Sequence, residues 1–194
     1  MNADTVGCRG GTITLAGGGY FDLENPTPEM VRIEDVAHAL SMLCRWTGHC
    51  RFFFSVAQHS VLVAEALPPE LALAGLLHDA AEAYVGDVSR PLAALLPDLR
   101  RVKERVEAAV AARFGVPHPM PPEVKAADVR LLRTEQRDLT SGSGDIWTGM
   151  EAVEPMPYRI IPDWAAAYIC VRPAQQPRDA KRAFLQAFER YGGR

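Results

Sequence analysis

The segment Leu71–Ala81 constrains the fold most, because it is apolar on every side of a helix and still contains a histidine and an aspartate. Its apolar residues are Leu71, Leu73, Ala74, Leu76, Leu77, Ala80 and Ala81. A helix that is apolar all round lies at the centre of a bundle rather than on its surface. We therefore expect one helix over Glu70–Tyr84, packed between other helices, with His78 and Asp79 in its interior.

Helical periodicity continues along most of the remaining chain. Apolar spacing predicts further helices in seven places. They are Ile33–Leu43, a helix capped by Ser55 that runs to Leu67, a short helix from Ser89 to about Pro97, a long helix from there to Phe114, Glu123–Leu139, a short helix around Asp163–Cys170, and Arg178–Tyr191. Arg45–Phe54 and Thr140–Pro157 are expected to be loops. Ahead of the helices, Thr12–Leu15 and Tyr20–Leu23 flank a run of glycines, which is typical of a β-hairpin. The predicted fold class is an all-α helical bundle with a small N-terminal β-hairpin.

Length and charge limit the class of protein. The chain has 194 residues, of which 48% are apolar, and this suffices for one domain with its own core. Within that domain we expect a hairpin extension over 1–30, a core over 31–140 and C-terminal helices over 158–192. The net charge of −3 lacks the basic excess of general nucleic-acid binders, so no stable nucleic-acid complex is expected. No apolar run reaches the roughly 20 residues of a membrane-spanning helix, so no membrane association is expected either.

The cysteines and the N-terminus bear on the cellular compartment. Met1–Thr5 is not followed by the apolar stretch of a secretory signal peptide. Cys8, Cys44, Cys50 and Cys170 lie at irregular spacings, which favours free thiols over a disulfide framework. We therefore expect a cytoplasmic protein.

His78 and Asp79 stand out because of the apolar helix around them. An unpaired carboxylate in such a place is very costly, so Asp79 must be neutralised, hydrogen-bonded or bound to a cation. Glu82 follows one turn later and projects from the same side of the helix. Asp87 lies just beyond the helix end, where an aspartate also serves as a helix cap.

Two further helices repeat this anomaly. His59 shares a helix face with apolar neighbours, and so does Asp128. Two imidazoles and two carboxylates from three bundled helices favour a divalent transition metal such as Mn, Fe, Co, Ni or Zn over calcium, which prefers oxygen ligands. Each residue has a simpler interpretation: His59 as a hydrogen-bonded core histidine, Asp128 as an ion-pair partner.

The order His59, then His78-Asp79, then Asp128 resembles the signature of the HD-domain metal-dependent phosphohydrolases. The resemblance covers about Ile33–Leu139, and the sequence around His59 and after Leu76 is similar to both YfbR-like bacterial 5′-deoxynucleotidases and phage DatZ-like dATP triphosphohydrolases. It implies that His59, His78, Asp79 and Asp128 bind the metal. It also implies that Glu82 orients or deprotonates the attacking water and that Asp87 supports the site or contacts the sugar.

The same resemblance implies a substrate-binding set. Arg45 corresponds to an arginine that binds phosphate, and Trp46 to an aromatic residue beside the deoxyribose or base. Lys125 precedes Asp128 by one helical turn, which places it within reach of a phosphate. Surface or core roles for these three residues stay open, and Arg51 is a second candidate for the phosphate-binding fork.

The expected function is hydrolysis of a 5′-deoxynucleoside monophosphate to deoxynucleoside and phosphate. The alternative keeps the site but takes a deoxynucleoside triphosphate and releases tripolyphosphate. A third hypothesis is a non-catalytic helical module that binds a nucleotide or a protein partner. Since relatives of this kind tend to assemble, we also expect a homo-oligomer.

Overall fold

The computed structural model describes residues 10–141, 149–160, 170–171 and 176–193, and the fold is mostly helical. Its helices are α1 Ile33–Met42, α2 Val56–Glu65, α3 Pro69–Leu77, α4 Glu82–Val85, α5 Arg90–Ala94, α6 Pro97–Phe114, α7 Pro122–Leu139 and α8 Pro177–Arg190. Strands β1 Thr12–Thr14 and β2 Tyr20–Asp22 form the predicted antiparallel hairpin. The all-α class with a small N-terminal hairpin is confirmed. In the part of the chain so described, no helix has the length and apolarity needed to cross a bilayer.

The hairpin is attached to the bundle by an aromatic contact and a polar turn. Phe21 in β2 is fully buried and stacks on Tyr84 of α4, with ring centroids 3.8 Å apart. The backbone amide of Gly17 donates to Oδ1 of Asp35 at 2.7 Å. Gly18 and Gly19 complete the turn with φ angles of 82° and 86°, which glycine adopts without a steric penalty.

Helix α2 begins at the predicted cap. The hydroxyl of Ser55 accepts from the backbone amide of Gln58, and the Gln58 side chain accepts from the amide of Ser55, so that both ends of a capping box are made. Eight of the ten residues of α2 are buried, among them His59. The cap therefore fixes the start of a helix that passes through the core.

Helix α3 packs against α2, α7 and α8 and is buried from Ala74 to Leu77, but the single helix expected over Glu70–Tyr84 is wrong. Regular α-helix stops at Leu77, and after it Ala80 and Glu82 donate to carbonyls only three residues back. Here Nδ1 of the His78 imidazole donates to the carbonyl oxygen of Gly75 at 2.7 Å. A continuing α-helix needs that carbonyl for an amide four residues on. The imidazole thus competes for this carbonyl where the regular hydrogen-bond pattern ends, and α4 starts at Glu82.

Other boundaries differ in detail. The expected loop Arg45–Phe54 opens with a 3₁₀ turn over Arg45–Gly48. Strand β3, Arg159–Ile160, pairs in parallel with β4, Cys170–Val171, where the sequence predicts helix or loop. The rest of the helix predicted around Asp163–Cys170 lies outside the described residues. The C-terminal helix is confirmed as α8.

Candidate metal centre

Three donor side chains from separate helices converge in the interior. His59 lies in α2, His78 follows α3 directly, and Asp128 lies in α7. One donor atom of each residue lies within 4.8 Å of the other two. The structure thus brings together three of the four predicted ligands, in a group of the kind that holds a divalent metal ion.

The separations suit a single ion. Ligands at about 2.1 Å from one ion stand about 3.0 Å apart in octahedral and about 3.4 Å apart in tetrahedral geometry. Nε2 of His59 lies 3.3 Å from Nε2 of His78 and 3.2 Å from Oδ1 of Asp128. The third pair, His78 Nε2 and Asp128 Oδ1, is 3.9 Å apart, between the spacings of adjacent ligands and of opposite ones at about 4.2 Å.

Both imidazoles direct Nε2 toward the space between the three donor side chains, and Nδ1 of each ring is hydrogen-bonded elsewhere. The Gly75 carbonyl can only accept a hydrogen bond, so Nδ1 of His78 carries the proton. Nδ1 of His59 donates to Oε1 of Glu135 at 2.6 Å. When neutral, each ring therefore directs its Nε2 lone pair at the other across 3.3 Å. Two facing lone pairs repel, and a shared proton or metal ion relieves that repulsion.

The pKa of His59 shows that the surrounding carboxylates favour a positive charge at this position. Burial and Arg45 lower this pKa, but Glu135 and Asp128 outweigh them and raise it to about 9. The pKa of His78 is also raised: burial lowers it, and Asp79 overcomes that effect. Protons and a metal ion thus compete for one place, so metal binding releases protons.

Asp79, the fourth predicted ligand, stands beside the group of three. Its Oδ2 lies 3.2 Å from Nε2 of His78 and 3.7 Å from Nε2 of His59, and Nη1 of Arg45 lies 3.9 Å away on the other side. Burial acts to raise the pKa of Asp79, but His78 and His59 hold it well below its usual range. Asp79 is therefore an ionised carboxylate within reach of a shared ion, although the compact group is His59, His78 and Asp128.

Sequence reasoning missed Glu135, which joins the centre to the Arg45 turn. This fully buried carboxylate accepts from Nδ1 of His59, from Nε and Nη2 of Arg45 at 3.1 and 3.0 Å, and from Nε1 of Trp46 at 3.1 Å. Burial alone would raise its pKa, but Arg45 and His59 lower it, so the carboxylate is ionised. Its position seven residues after Asp128 on α7 is the signal that could have identified it, since that spacing repeats one helix face.

The Arg45 side chain is therefore less free than predicted. Its Nε and Nη2 donate to Glu135. Its third nitrogen, Nη1, lies on the side of Asp79, 3.9 Å from Oδ2 of that residue. Trp46 also binds Glu135, and its backbone has a φ of 59°, a left-handed conformation that is uncommon for a residue other than glycine. Such strain is typical of functional segments.

Glu82 is paired with a lysine that the sequence did not point to. Nζ of Lys103, on α6, donates to Oε1 of Glu82 at 2.9 Å. Oε2 of Glu82 is buried and has no hydrogen-bond partner among the described residues. Burial and the neighbouring Asp79 raise the pKa of Glu82 to about 7, although Lys103 opposes them. A carboxyl group with this pKa can hold or release a proton near neutrality.

A cavity of about 750 Å³ opens beside the centre. Its wall includes His78, Asp79, Asp128, Glu82, Asp87, Arg45, Trp46 and Lys125, so all but one of the residues that the resemblance implies reach it. The exception is His59, which is fully buried behind it. Arg51 lines a separate cavity of about 290 Å³ with Arg133 and Arg137, so it does not supply the phosphate-binding fork of this site.

Asp87 lines the cavity but does not cap a helix. It lies in the irregular segment between α4 and α5, where Gly86 rather than Asp87 ends α4. Burial raises the pKa of Asp87 although Arg45 lowers it. Lys125 is exposed, and Nη2 of Arg90 lies 3.3 Å from Oδ2 of Asp128.

Comparison with known proteins identifies two relatives. The chain is 40% identical over 136 residues to the uncharacterized protein YfdR of Escherichia coli, a match that covers 70% of this chain and 76% of that protein. It is 36% identical over 143 residues to the uncharacterized protein RCAP_rcc00048 of Rhodobacter capsulatus, covering 66% of this chain and 73% of that protein. No family model matches the chain. At this identity and coverage, the chain belongs to the same family as YfdR and RCAP_rcc00048.

Proposed function

We propose that the chain is an HD-type metal-dependent phosphohydrolase that cleaves the 5′ phosphate of deoxynucleotides. The observation that carries this proposal is the convergence of the Nε2 atoms of His59 and His78 with a carboxylate oxygen of Asp128 beside a cavity. The donor set fits a divalent transition metal, since imidazole and carboxylate together suit Mn, Fe, Co, Ni and Zn. The cavity is in the size range of a small-molecule site.

His59, His78 and Asp128 would hold the ion, with Asp79 within reach as a fourth ligand. A bound divalent ion would polarise a phosphoryl oxygen and lower the pKa of a water molecule. Glu135 keeps His59 in the required tautomer through Nδ1, and the Gly75 carbonyl does the same for His78. These contacts orient the ligands before any ion arrives.

Glu82 would accept the proton of the attacking water. Its Oε2 is free of hydrogen bonds within the described structure, and its pKa of about 7 leaves a large ionised fraction at neutral pH. Lys103 binds the other oxygen, Oε1, and so fixes the orientation of the carboxyl group. Since Lys103 also carries a positive charge, it favours the ionised form that can act as the base.

Binding of the phosphate would fall to the cations at the cavity. Nη1 of Arg45 points to the Asp79 side of the site, and Lys125 stands on α7 one turn before Asp128. Trp46 would contact the sugar or the base. If the substrate is a deoxynucleoside monophosphate, the products are a deoxynucleoside and inorganic phosphate.

A triphosphate substrate is the second candidate, and a specific observation favours it. Besides Arg45, the cavity is lined by Arg90, Lys103 and Lys125; Lys103 is paired with Glu82, which leaves Arg90 and Lys125 to meet additional phosphate groups. Arg90 is ion-paired with Asp128, and a metal ion bound by Asp128 would weaken that pair and release the guanidinium for a longer phosphate chain. The products would then be a deoxynucleoside and tripolyphosphate.

One experiment distinguishes three hypotheses: hydrolysis of a monophosphate, hydrolysis of a triphosphate, and a module that binds without catalysis. Purified protein with Mn²⁺ or Co²⁺ is incubated with deoxynucleoside mono- and triphosphates, and phosphate and tripolyphosphate are assayed separately. Glu82→Gln should abolish turnover and retain metal, whereas the matched variant Glu104→Gln, at an exposed α6 residue, should behave as wild type. Absence of both products with every metal would leave the non-catalytic binding module. The cytoplasmic location and the homo-oligomer stay predictions.

A further inference from the structure

We propose that Cys44 and Cys50 form an oxidation site, a dithiol that a peroxide closes into an intramolecular disulfide. Both residues are half-buried free cysteines, and their Sγ atoms lie 3.5 Å apart. A disulfide requires a separation of about 2.0 Å, so the sulfur atoms must approach by about 1.5 Å. The pair is thus close enough to react and open enough for a small oxidant to reach.

The backbone holds the two thiols at this distance. The 3₁₀ turn Arg45–Gly48 reverses the chain between the two cysteines, with positive φ at Trp46, Thr47 and Gly48. Cys44 is held by a β-bridge to Ser55, ahead of α2. The amide of Arg51 donates to the carbonyl of Leu139 at 2.8 Å, which holds the other side of the turn. Loop closure therefore costs little further chain entropy, because the turn already exists.

The chemistry balances with hydrogen peroxide as the oxidant. One thiol is oxidised to a sulfenic acid as the O–O bond breaks, and one water is released. The second thiol attacks that sulfur, the S–S bond forms, and its proton leaves with the displaced hydroxyl as a second water. Burial raises the pKa of Cys50 to about 11, and the hydrogen bond with Cys44 adds to this, so the resting pair is the dithiol.

Because the turn between the two cysteines contacts Glu135, we expect the disulfide to affect the candidate metal centre. The ring closed by the disulfide contains Arg45 and Trp46, whose side chains bind the carboxylate of Glu135. Glu135 in turn orients His59. Drawing the ends of the turn together shifts these donors, so we expect the oxidised protein to bind Mn²⁺ more weakly than the reduced one. This readout is independent of the proposed hydrolase activity.

The sequence supplies a direct assay for the bond. Trypsin cleaves after Arg32, Arg45 and Arg51, so Cys44 falls in peptide Ile33–Arg45 and Cys50 in peptide Trp46–Arg51. After treatment of the full chain with hydrogen peroxide, alkylation and digestion, mass spectrometry should find the two peptides linked, with separation by dithiothreitol. Denaturing gels without reductant should show a monomer. Cys44→Ser should give no link.

The remaining cysteines require a control. The variant Cys8→Ser with Cys170→Ser retains only the pair, and its count of reactive thiols should fall from two to zero on oxidation and recover with dithiothreitol. Separate peptides that carry sulfinic or sulfonic acids, or a link only between two chains, would overturn the proposed site. An unchanged Mn²⁺ affinity in the oxidised form would overturn the coupling to the metal centre.

Discussion

Nδ1 of His59 donates to Oε1 of Glu135 at 2.6 Å, and this contact directs the opposite nitrogen of the imidazole toward His78 and Asp128. The two residues belong to α2 and α7, so a pair of helices must pack before the tautomer is defined. The same carboxylate accepts from Arg45 and Trp46 through its other oxygen. One buried side chain thus connects the candidate metal centre to the Arg45 turn beside the cavity.

Glu135→Gln should weaken metal binding. The amide cannot hold the His59 tautomer as an ionised carboxylate does, and loss of such a supporting contact typically costs about 10- to 100-fold in affinity. Arg45 also loses its buried counter-charge, which should lower the free energy of unfolding by roughly 3 kcal/mol. Titration of Mn²⁺ by calorimetry and urea denaturation measure the two effects. The exposed Glu123→Gln on the same helix is the control, and equal affinities in both variants would contradict the role of Glu135.

Mn²⁺ should stabilise the folded protein through His59, His78 and Asp128. An ion that binds the native state alone adds about 2.7 kcal/mol at a concentration 100 times its dissociation constant. Asp128→Asn should remove most of that increment, whereas Asp98→Asn, at a residue exposed on α6, should retain it. Thermal unfolding with and without Mn²⁺ measures the increment. A full increment in Asp128→Asn would show that the ion binds elsewhere.

Glu82 should make both stability and turnover depend on pH. Its folded pKa of about 7 lies above the ordinary value of 4.5, so the folded protein holds this proton more tightly than the unfolded chain does. The stability associated with the protonated group is complete below pH 4.5 and is lost as the pH rises to about 7. Glu82→Gln, which mimics the protonated form, should therefore gain stability relative to wild type across that interval. Denaturant midpoints measured from pH 4.5 to 7 give the difference.

If Glu82 acts as the base, turnover of wild type should rise with pH through about 7. A profile that falls over the same interval would assign Glu82 the opposite role, as an acid.

Lys103→Met should shift the same profile. Lys103 lowers the pKa of Glu82, so its removal raises that pKa and moves the rise in kcat/KM to higher pH. A lysine that only filled space would alter the level of activity without moving the profile. Lys125→Met, at an exposed residue of the same cavity, is the control and should change KM rather than the profile. An unshifted profile in Lys103→Met would contradict the ion pair in solution.

Gly75→Ala should overpack the contact between α3 and the C-terminal end of α2. A Cβ on residue 75 would lie 2.4 Å from Cδ1 of Leu67, whose side chain must change conformation, and 3.3 Å from Cα of Ala64, which must yield by a few tenths of an ångström. Alanine normally favours a helix by about 1 kcal/mol over glycine, but overpacking of a core costs typically 1–3 kcal/mol and should prevail. Because Gly75 also binds His78, Mn²⁺ affinity should fall with stability. Adding Leu67→Ala should recover part of the stability, and no recovery would show that the backbone contact dominates.

Local sequence signals predicted a large part of this fold. The Ser55 cap, the glycine turn of the hairpin and the periodicity of α7 depend on residues a few positions apart, so the chain itself carries the information. His59, His78 and Asp128 were identifiable for a related reason. Each is an ionisable residue on an apolar face, and such a residue needs a partner.

Tertiary packing decided the rest. At the break after Leu77 the His78 imidazole donates to the Gly75 carbonyl that a continuing helix would use, and helix propensity does not report this competition. Lys103 became part of the site because α6 packs beside α4, 21 residues earlier, and Glu135 because α7 packs beside α2. Helical periodicity identifies the face that turns inward, whereas partners, tautomers and pKa values depend on distances between atoms far apart in the chain. Those distances exist only once the helices are packed.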